Sequence, residues 1–184
     1  MVSNEEILVN KRNGRGKEAL QIDKIHAMVG FATDGITGVS ASHVEMNSGI
    51  QLFDGISTAD IQQILIKSAN DLITLESPNY QYVAARLLLF SLRKQLFHRL
   101  WDHPKLIDHI KKLIEMGLYD KDILVNYDES EIDRMDMWID HERDYNFTYA
   151  GLRQVMDKYL VQDRSTGDIF ETPQFMYMMI SATL

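Results

Sequence analysis

The chain has 184 residues, 45% of them hydrophobic, and a formal net charge of −8. That is enough apolar material for one good core, or two small ones, without covalent staples. It contains no cysteine, which excludes disulfides, thiolate metal sites and cysteine catalysis.

The opening Met1-Val2-Ser3-Asn4-Glu5-Glu6 is acidic and has no apolar signal region. No apolar run approaches ~18 residues, so no membrane span is expected and the protein reads as soluble and cytoplasmic. Residues 6–10 and 18–22 are expected to be two short strands. They flank a glycine turn with four cations in seven residues, Lys11, Arg12, Arg15 and Lys17. Such a turn, followed by a helix entry that carries Lys24, can surround a polyphosphate with cations, backbone N–H groups and a positive helix end. A solvated hairpin turn has the same pattern.

Ile22, Ile25, Val29 and Ala32 then recur at helical spacing as far as Asp34-Gly35. Ser42-His43-Val44-Glu45 fits a capping box that opens a second helix, which stops by Asp54-Gly55. Ser57 or Thr58 caps a third helix, with Ile61, Ile64, Leu65, Leu72 and Ile73 on one face. Ser77-Pro78 opens a fourth, which runs to about His98 with Tyr80, Val83, Ala84, Leu87, Leu88 and Leu92 inward. Asp102-His103-Pro104 marks the expected domain boundary, because Pro104 disfavours helix at His103.

Beyond it, helices are expected near 105–116, 120–125, 129–142 and 148–158, with a second capping box at Ser130-Glu131-Ile132-Asp133. Residues 159–163 and 168–171 flank Arg164-Ser165-Thr166-Gly167 as a hairpin. Thr172-Pro173 opens a last apolar helix with Phe175, Met179 and Leu184 inward. It has no cap, glycine or polar tail, and so suggests a chain cut from something longer.

The charge is uneven. Residues 99–184 carry 10 Lys/Arg against 17 Asp/Glu, and Asp120 to Asp144 alone hold ten acids and three bases. That sign argues against nucleic-acid binding. The acids lack the spacing of a calcium loop, and none of the six histidines forms a zinc-protease pattern. The methionines, Trp101 and Trp138 read as packing residues. The local chemistry indicates binding, with no catalytic residue and no metal ligand.

Several runs occur in order: Lys11-Arg12-Asn13-Gly14, Asp23-Lys24-Ile25-His26, Asp54 to Ile61, Pro78-Asn79-Tyr80-Gln81-Tyr82-Val83-Ala84-Ala85-Arg86-Leu87, His141-Glu142-Arg143-Asp144-Tyr145 and Lys158-Tyr159-Leu160-Val161-Gln162. Together they resemble the amino-terminal region of the large subunit of aerobic (class I) ribonucleotide reductase. The Asn-Tyr-Gln-Tyr-Val-Ala-Ala-Arg and His-Glu-Arg-Asp runs are the specific parts. The resemblance implies a mainly α fold: a small β-hairpin cap over a four-helix ATP-cone (1–100), then a truncated helical domain containing one β-hairpin (101–184).

It also implies an allosteric nucleotide site for ATP or dATP, which magnesium can accompany. Lys11 would contact the triphosphate, assisted by Arg12 and Lys24. Glu18, Ala19, Leu20, Gln21, Ile22, Asp23 and Lys24 would line the site. Thr58 would offer a hydroxyl beside helix N–H groups, Gln62 would lie near the nucleotide, and Lys94 would reach back to the phosphates. Gln62 and Ser91 stand where many relatives carry histidine, and the basic loop is one residue longer than usual. Those departures bear on telling ATP from dATP, a distinction of one hydroxyl and of about 0.5–1.5 kcal/mol.

The resemblance places the reductase's radical and redox cysteines downstream, so this chain would regulate rather than catalyse. Its partners would be the remainder of the large subunit, the radical-generating small subunit and further copies of itself, with no nucleic acid and no membrane. The alternative is a nucleotide-independent helical module whose acidic 120–144 face docks a basic partner.

Overall fold

A computed structural model describes residues 7–11, 16–49, 54–98 and 100–184. Two compact units are found: Met1–Ser91 with Thr148–Ala150, and Leu92–Phe147 with Gly151–Leu184.

The first unit begins with β1 (Leu8–Asn10) and β2 (Lys17–Ala19), antiparallel, with Val9 opposite Glu18 and Asn10 opposite Lys17. Four helices follow: α1 (Ile22–Thr33), α2 (Ala41–Ser48), α3 (Thr58–Asp71) and α4 (Tyr80–Phe97), whose residues from Leu92 onward belong to the second unit. α1 buries Met28, Val29 and Ala32. Ile22, the first residue of α1, is 49% exposed.

α2 starts one residue before the expected capping box. Its N-cap is Ser40, whose side chain makes no capping bond. The Ser40 amide instead donates to the Tyr80 hydroxyl at 3.1 Å. α3 is capped as expected by Ser57, whose Oγ accepts from the Asp60 amide at 2.9 Å. Its buried stripe is Ile61, Gln62, Leu65, Ile66, Ser68 and Ala69, while Ile73 is exposed. In α4, Val83, Ala84, Ala85 and Leu87 through Arg93 are all buried.

In the second unit α5 (Leu106–Glu115), α6 (Ile123–Asn126) and α7 (Glu129–Asp136) precede a 3₁₀ helix (His141–Asn146). Then come α8 (Tyr149–Lys158), the hairpin β3 (Gln162–Asp163) and β4 (Asp168–Ile169), and α9 (Pro173–Thr183). Leu106, Ile107, Ile110, Ile123, Ile132 and Phe175 form its core.

The capping box lies at Asp128 and Glu131, not at Ser130; the Ser130 hydroxyl donates to Asp128. The helix expected over 129–142 ends at Asp136. There the side chain turns away and accepts from the Leu106 amide at 2.9 Å, capping α5 from 30 residues downstream. Asp140 then caps the 3₁₀ helix through the Glu142 amide. In α9 Phe175 and Met176 are buried and Met179 packs on the core, but Leu184 is fully exposed. Among the described residues no helix is long and apolar enough to cross a membrane.

Candidate functional site

The hairpin is locked to the entry of α3 by its backbone. The Asn10 amide donates to the Ile56 carbonyl at 3.0 Å, and the Gly55 amide donates to the Leu8 carbonyl at 2.8 Å. Asn10 and Ser57 form a parallel bridge. Side chains reinforce the seam. Asn10 Nδ2 donates to the Gly55 carbonyl at 2.6 Å, and Asp54 Oδ1 accepts from the Leu8 amide at 3.0 Å. Gly55 sits at φ +89°, a left-handed conformation that favours glycine. The residue after Asn10 is Lys11 and the residue after Ser57 is Thr58, so this seam sets Lys11 beside the first turn of α3.

Across the hairpin, Lys11 Nζ lies 2.9 Å from Glu18 Oε2. The hydrogen bond from Lys11 holds the Glu18 carboxyl below its usual range, helped by the charges of Lys11 and Lys24. Two ammonium groups, Lys11 and Lys24, therefore act on this one carboxylate. Lys24 is in the first turn of α1, and its amide donates to the Gln21 carbonyl at 3.0 Å. Gln21 is the N-cap of α1 but makes no side-chain cap bond. Ala19 and Leu20 are half-buried; Gln21, Ile22, Asp23 and Lys24 are exposed. An exposed cationic edge beside two helix N-termini suits an anion.

Arg12 lies outside the described residues. Gln62 follows Thr58 by one helical turn but is 2% exposed, and its Nε2 donates to the Leu87 carbonyl at 2.9 Å. Ser91 is buried. Lys94 is half-buried in the last turn of α4 and belongs to the second unit.

Residues 7–95 match the ATP cone domain, and residues 145–184 match the ribonucleotide reductase all-alpha domain. Over 181 residues, 98% of the chain, it is 47% identical to ribonucleoside-diphosphate reductase 1 subunit alpha of Escherichia coli (strain K12). The subunit alpha of Haemophilus influenzae is 48% identical over 181 residues, and that of Enterobacteria phage T4 is 41% identical over 178. The chain thus carries an ATP cone domain and part of a ribonucleotide reductase all-alpha domain, and it is similar to the corresponding region of these alpha subunits. It spans 24% of the length of the first two relatives and 23% of the phage protein. An ATP cone domain implies a nucleotide effector.

A second polar cluster, absent from the sequence reading, lies wholly in the second unit. Arg93 is 1% exposed. Its guanidinium donates to the His141 carbonyl at 2.6 Å and to the Tyr145 hydroxyl at 2.9 Å, and stands 5.0 Å from the Tyr145 ring centre. Asp144 Oδ2 is 3.7 Å away as an ion partner, while Asp144 Oδ1 accepts from Gln174 at 2.8 Å.

His103 stacks on His141 at 3.7 Å, and His109 stacks on Phe175 at 4.3 Å. Burial pushes His103, His109 and His141 down to about 4, 4 and 3. Cations add to this: Arg93 for His103, Lys112 for His109, and Arg93 with the other two imidazoles for His141. Burial pushes Asp144 up to about 6. One signal was readable in advance, since Arg93 follows Leu89 by four residues and so falls on a buried face of α4. Among the described residues no group of three or more such side chains can hold a metal ion.

Proposed function

We propose that residues 7–95 bind ATP or dATP, accompanied by magnesium, as an allosteric effector. In this reading the chain is the amino-terminal regulatory part of a class I ribonucleotide reductase large subunit. The carrying observation is the seam that sets Lys11, paired with Glu18 and near Lys24, beside the first turn of α3, inside a segment that matches an ATP cone.

Lys11, Arg12, Lys24 and Lys94 are the phosphate ligands. Thr58 supplies its hydroxyl. Glu18, Ala19, Leu20, Gln21, Ile22 and Asp23 line the nucleoside end, and the exposed Ile22 offers the base an apolar face. Gln62 closes the wall behind Thr58, one turn along the same helix face. The regulatory domain runs over 1–100 and a helical domain over 101–184.

Ribonucleotide reduction belongs to the assembled cytoplasmic enzyme, with the remainder of the large subunit and the radical-generating small subunit as partners and copies of the large subunit in higher assemblies. An effector acts there only through different affinity for two states of the assembly.

The test is calorimetric titration of the chain with ATP and with dATP, with and without magnesium. Saturable binding is expected. At a hundredfold excess over Kd, one site adds about 2.7 kcal/mol of stability, a rise in Tm of several degrees. No heat and no rise at millimolar nucleotide would remove the reading.

A further inference from the structure

We propose that the second unit carries a ligand site of its own, a cavity between the end of α4 and the start of α5. It takes a flat organic cation with several N–H donors, of the aryl amidine or guanidine class.

The cavity measures about 320 Å³ and lies wholly inside the second unit. Phe97, at the end of α4, and Pro104 give it apolar walls. His103 and His109 line it with imidazole rings, and Asp102 and Asp108 with carboxylates. A single water needs only about 10–15 Å³, whereas small-molecule sites occupy roughly 300–1,000 Å³.

Two ring nitrogens on this wall lack a partner. His103 donates to the backbone of Trp101, while its Nε2 has no hydrogen-bond partner among the described residues. The donor is therefore Nδ1, and a neutral ring leaves Nε2 as a bare acceptor. His109 is 2% exposed, and its Nε2 also has no partner among the described residues. Packing fixes both rings. His103 stacks on His141 at 3.7 Å and meets Phe97 edge-on at 5.6 Å. His109 stacks on Phe175 at 4.3 Å and meets Tyr119 edge-on at 6.0 Å. Neither ring can turn toward another partner without giving up these contacts. Burial pushes each down to about 4, so both are neutral at pH 7. A buried polar atom left unpaired is costly, which favours a ligand that brings the missing donor.

Charge selects the sign of that ligand. Asp102 and Asp108 are exposed, and the only cation on the wall is Lys112, so two carboxylates face one ammonium. The wall is net negative and favours a cation over an anion. A metal ion does not fit, because among the described residues no three His, Asp or Glu side chains converge to hold one. An amidinium fits better. Its N–H groups lie in one plane and can serve an imidazole nitrogen and a carboxylate together. The Phe97 ring offers a face to the flat body of such a ligand and to its charge.

The test follows backbone amide chemical shifts of the 184-residue chain as benzamidine, benzamide or benzoate is added. Benzamidine is expected to move resonances of residues 97–112 saturably at millimolar concentration. Benzamide, which has the ring without the charge, should bind more weakly, and benzoate should not bind. His109→Phe keeps the ring and removes its nitrogens. Asp108→Asn removes one charge at an exposed position, where folding is not at stake. Each should weaken benzamidine by about two- to tenfold, the factor that one net hydrogen bond is worth. No saturable shift with benzamidine, or shifts only outside 97–112, would overturn the proposal. So would benzoate binding as well as benzamidine, because the wall would then not select a cation. Unchanged benzamidine affinity in either variant would likewise refute it.

Discussion

Replacing His109 by phenylalanine should make the second unit resistant to mild acid. His109 is 2% exposed, stacked on Phe175, and its Nε2 has no hydrogen-bond partner. Burial, with the nearby Lys112 ammonium, pushes it down to about 4 from an ordinary 6.5. The folded state therefore holds the neutral imidazole, and between those two values the unfolded chain binds the extra proton. The stability this residue contributes is present above pH 6.5 and is lost as pH falls toward 4.

At about 1.4 kcal/mol per pH unit the loss is about 2 kcal/mol by pH 5 and about 3 kcal/mol by pH 4. His103 and His141 act in the same direction. Asp144, raised to about 6, acts in the opposite one, contributing stability below about pH 4 that is lost by pH 6. These three groups are present in both proteins, so the difference between wild type and His109→Phe reports His109 and its smaller coupling to His141. Urea unfolding should be followed by tryptophan fluorescence, because Trp101 and Trp138, the only two tryptophans, both lie in the second unit. The gap between the two proteins should widen by about 2 kcal/mol between pH 7 and pH 5. A constant gap would refute the assignment of His109 as a buried neutral imidazole.

Lys11→Ala should weaken ATP binding roughly ten- to hundredfold, the worth of a charge-assisted hydrogen bond, as read by calorimetry. It should cost less than about 1 kcal/mol of stability, because its ion pair with Glu18 is half-exposed. Asp136→Ala should lower the stability of the second unit by about 1 kcal/mol in urea unfolding, since it removes the side-chain cap of α5. Phe175→Ala should cost about 3–5 kcal/mol in the same assay, enough to unfold that unit at moderate urea, because Phe175 is fully buried among Leu106, Ile110 and Ile132. Gly55→Ala should cost about 1–2 kcal/mol and loosen the seam, read as a weaker ATP affinity with faster hydrogen exchange at Asn10.

What the sequence by itself determined is the local part of this protein. The two short paired strands, the Ser57 cap and the inward residues of α4 all follow from patterns a few residues long. The order of elements follows from the same signals, and so does the resemblance to reductase alpha subunits, through runs such as Asn79 to Arg86. Tertiary structure decided where side chains far apart in sequence meet. The helix expected to reach 142 stops at Asp136, whose side chain caps α5 instead. Gln62 turned into the core to satisfy the Leu87 carbonyl. His103 and His141 stacked, and Arg93 found its acceptors 48 and 52 residues away. The physical reason is one of range. Caps, turns and periodicities are satisfied by neighbours along the chain, whereas a buried polar group must find its partner wherever packing brings one.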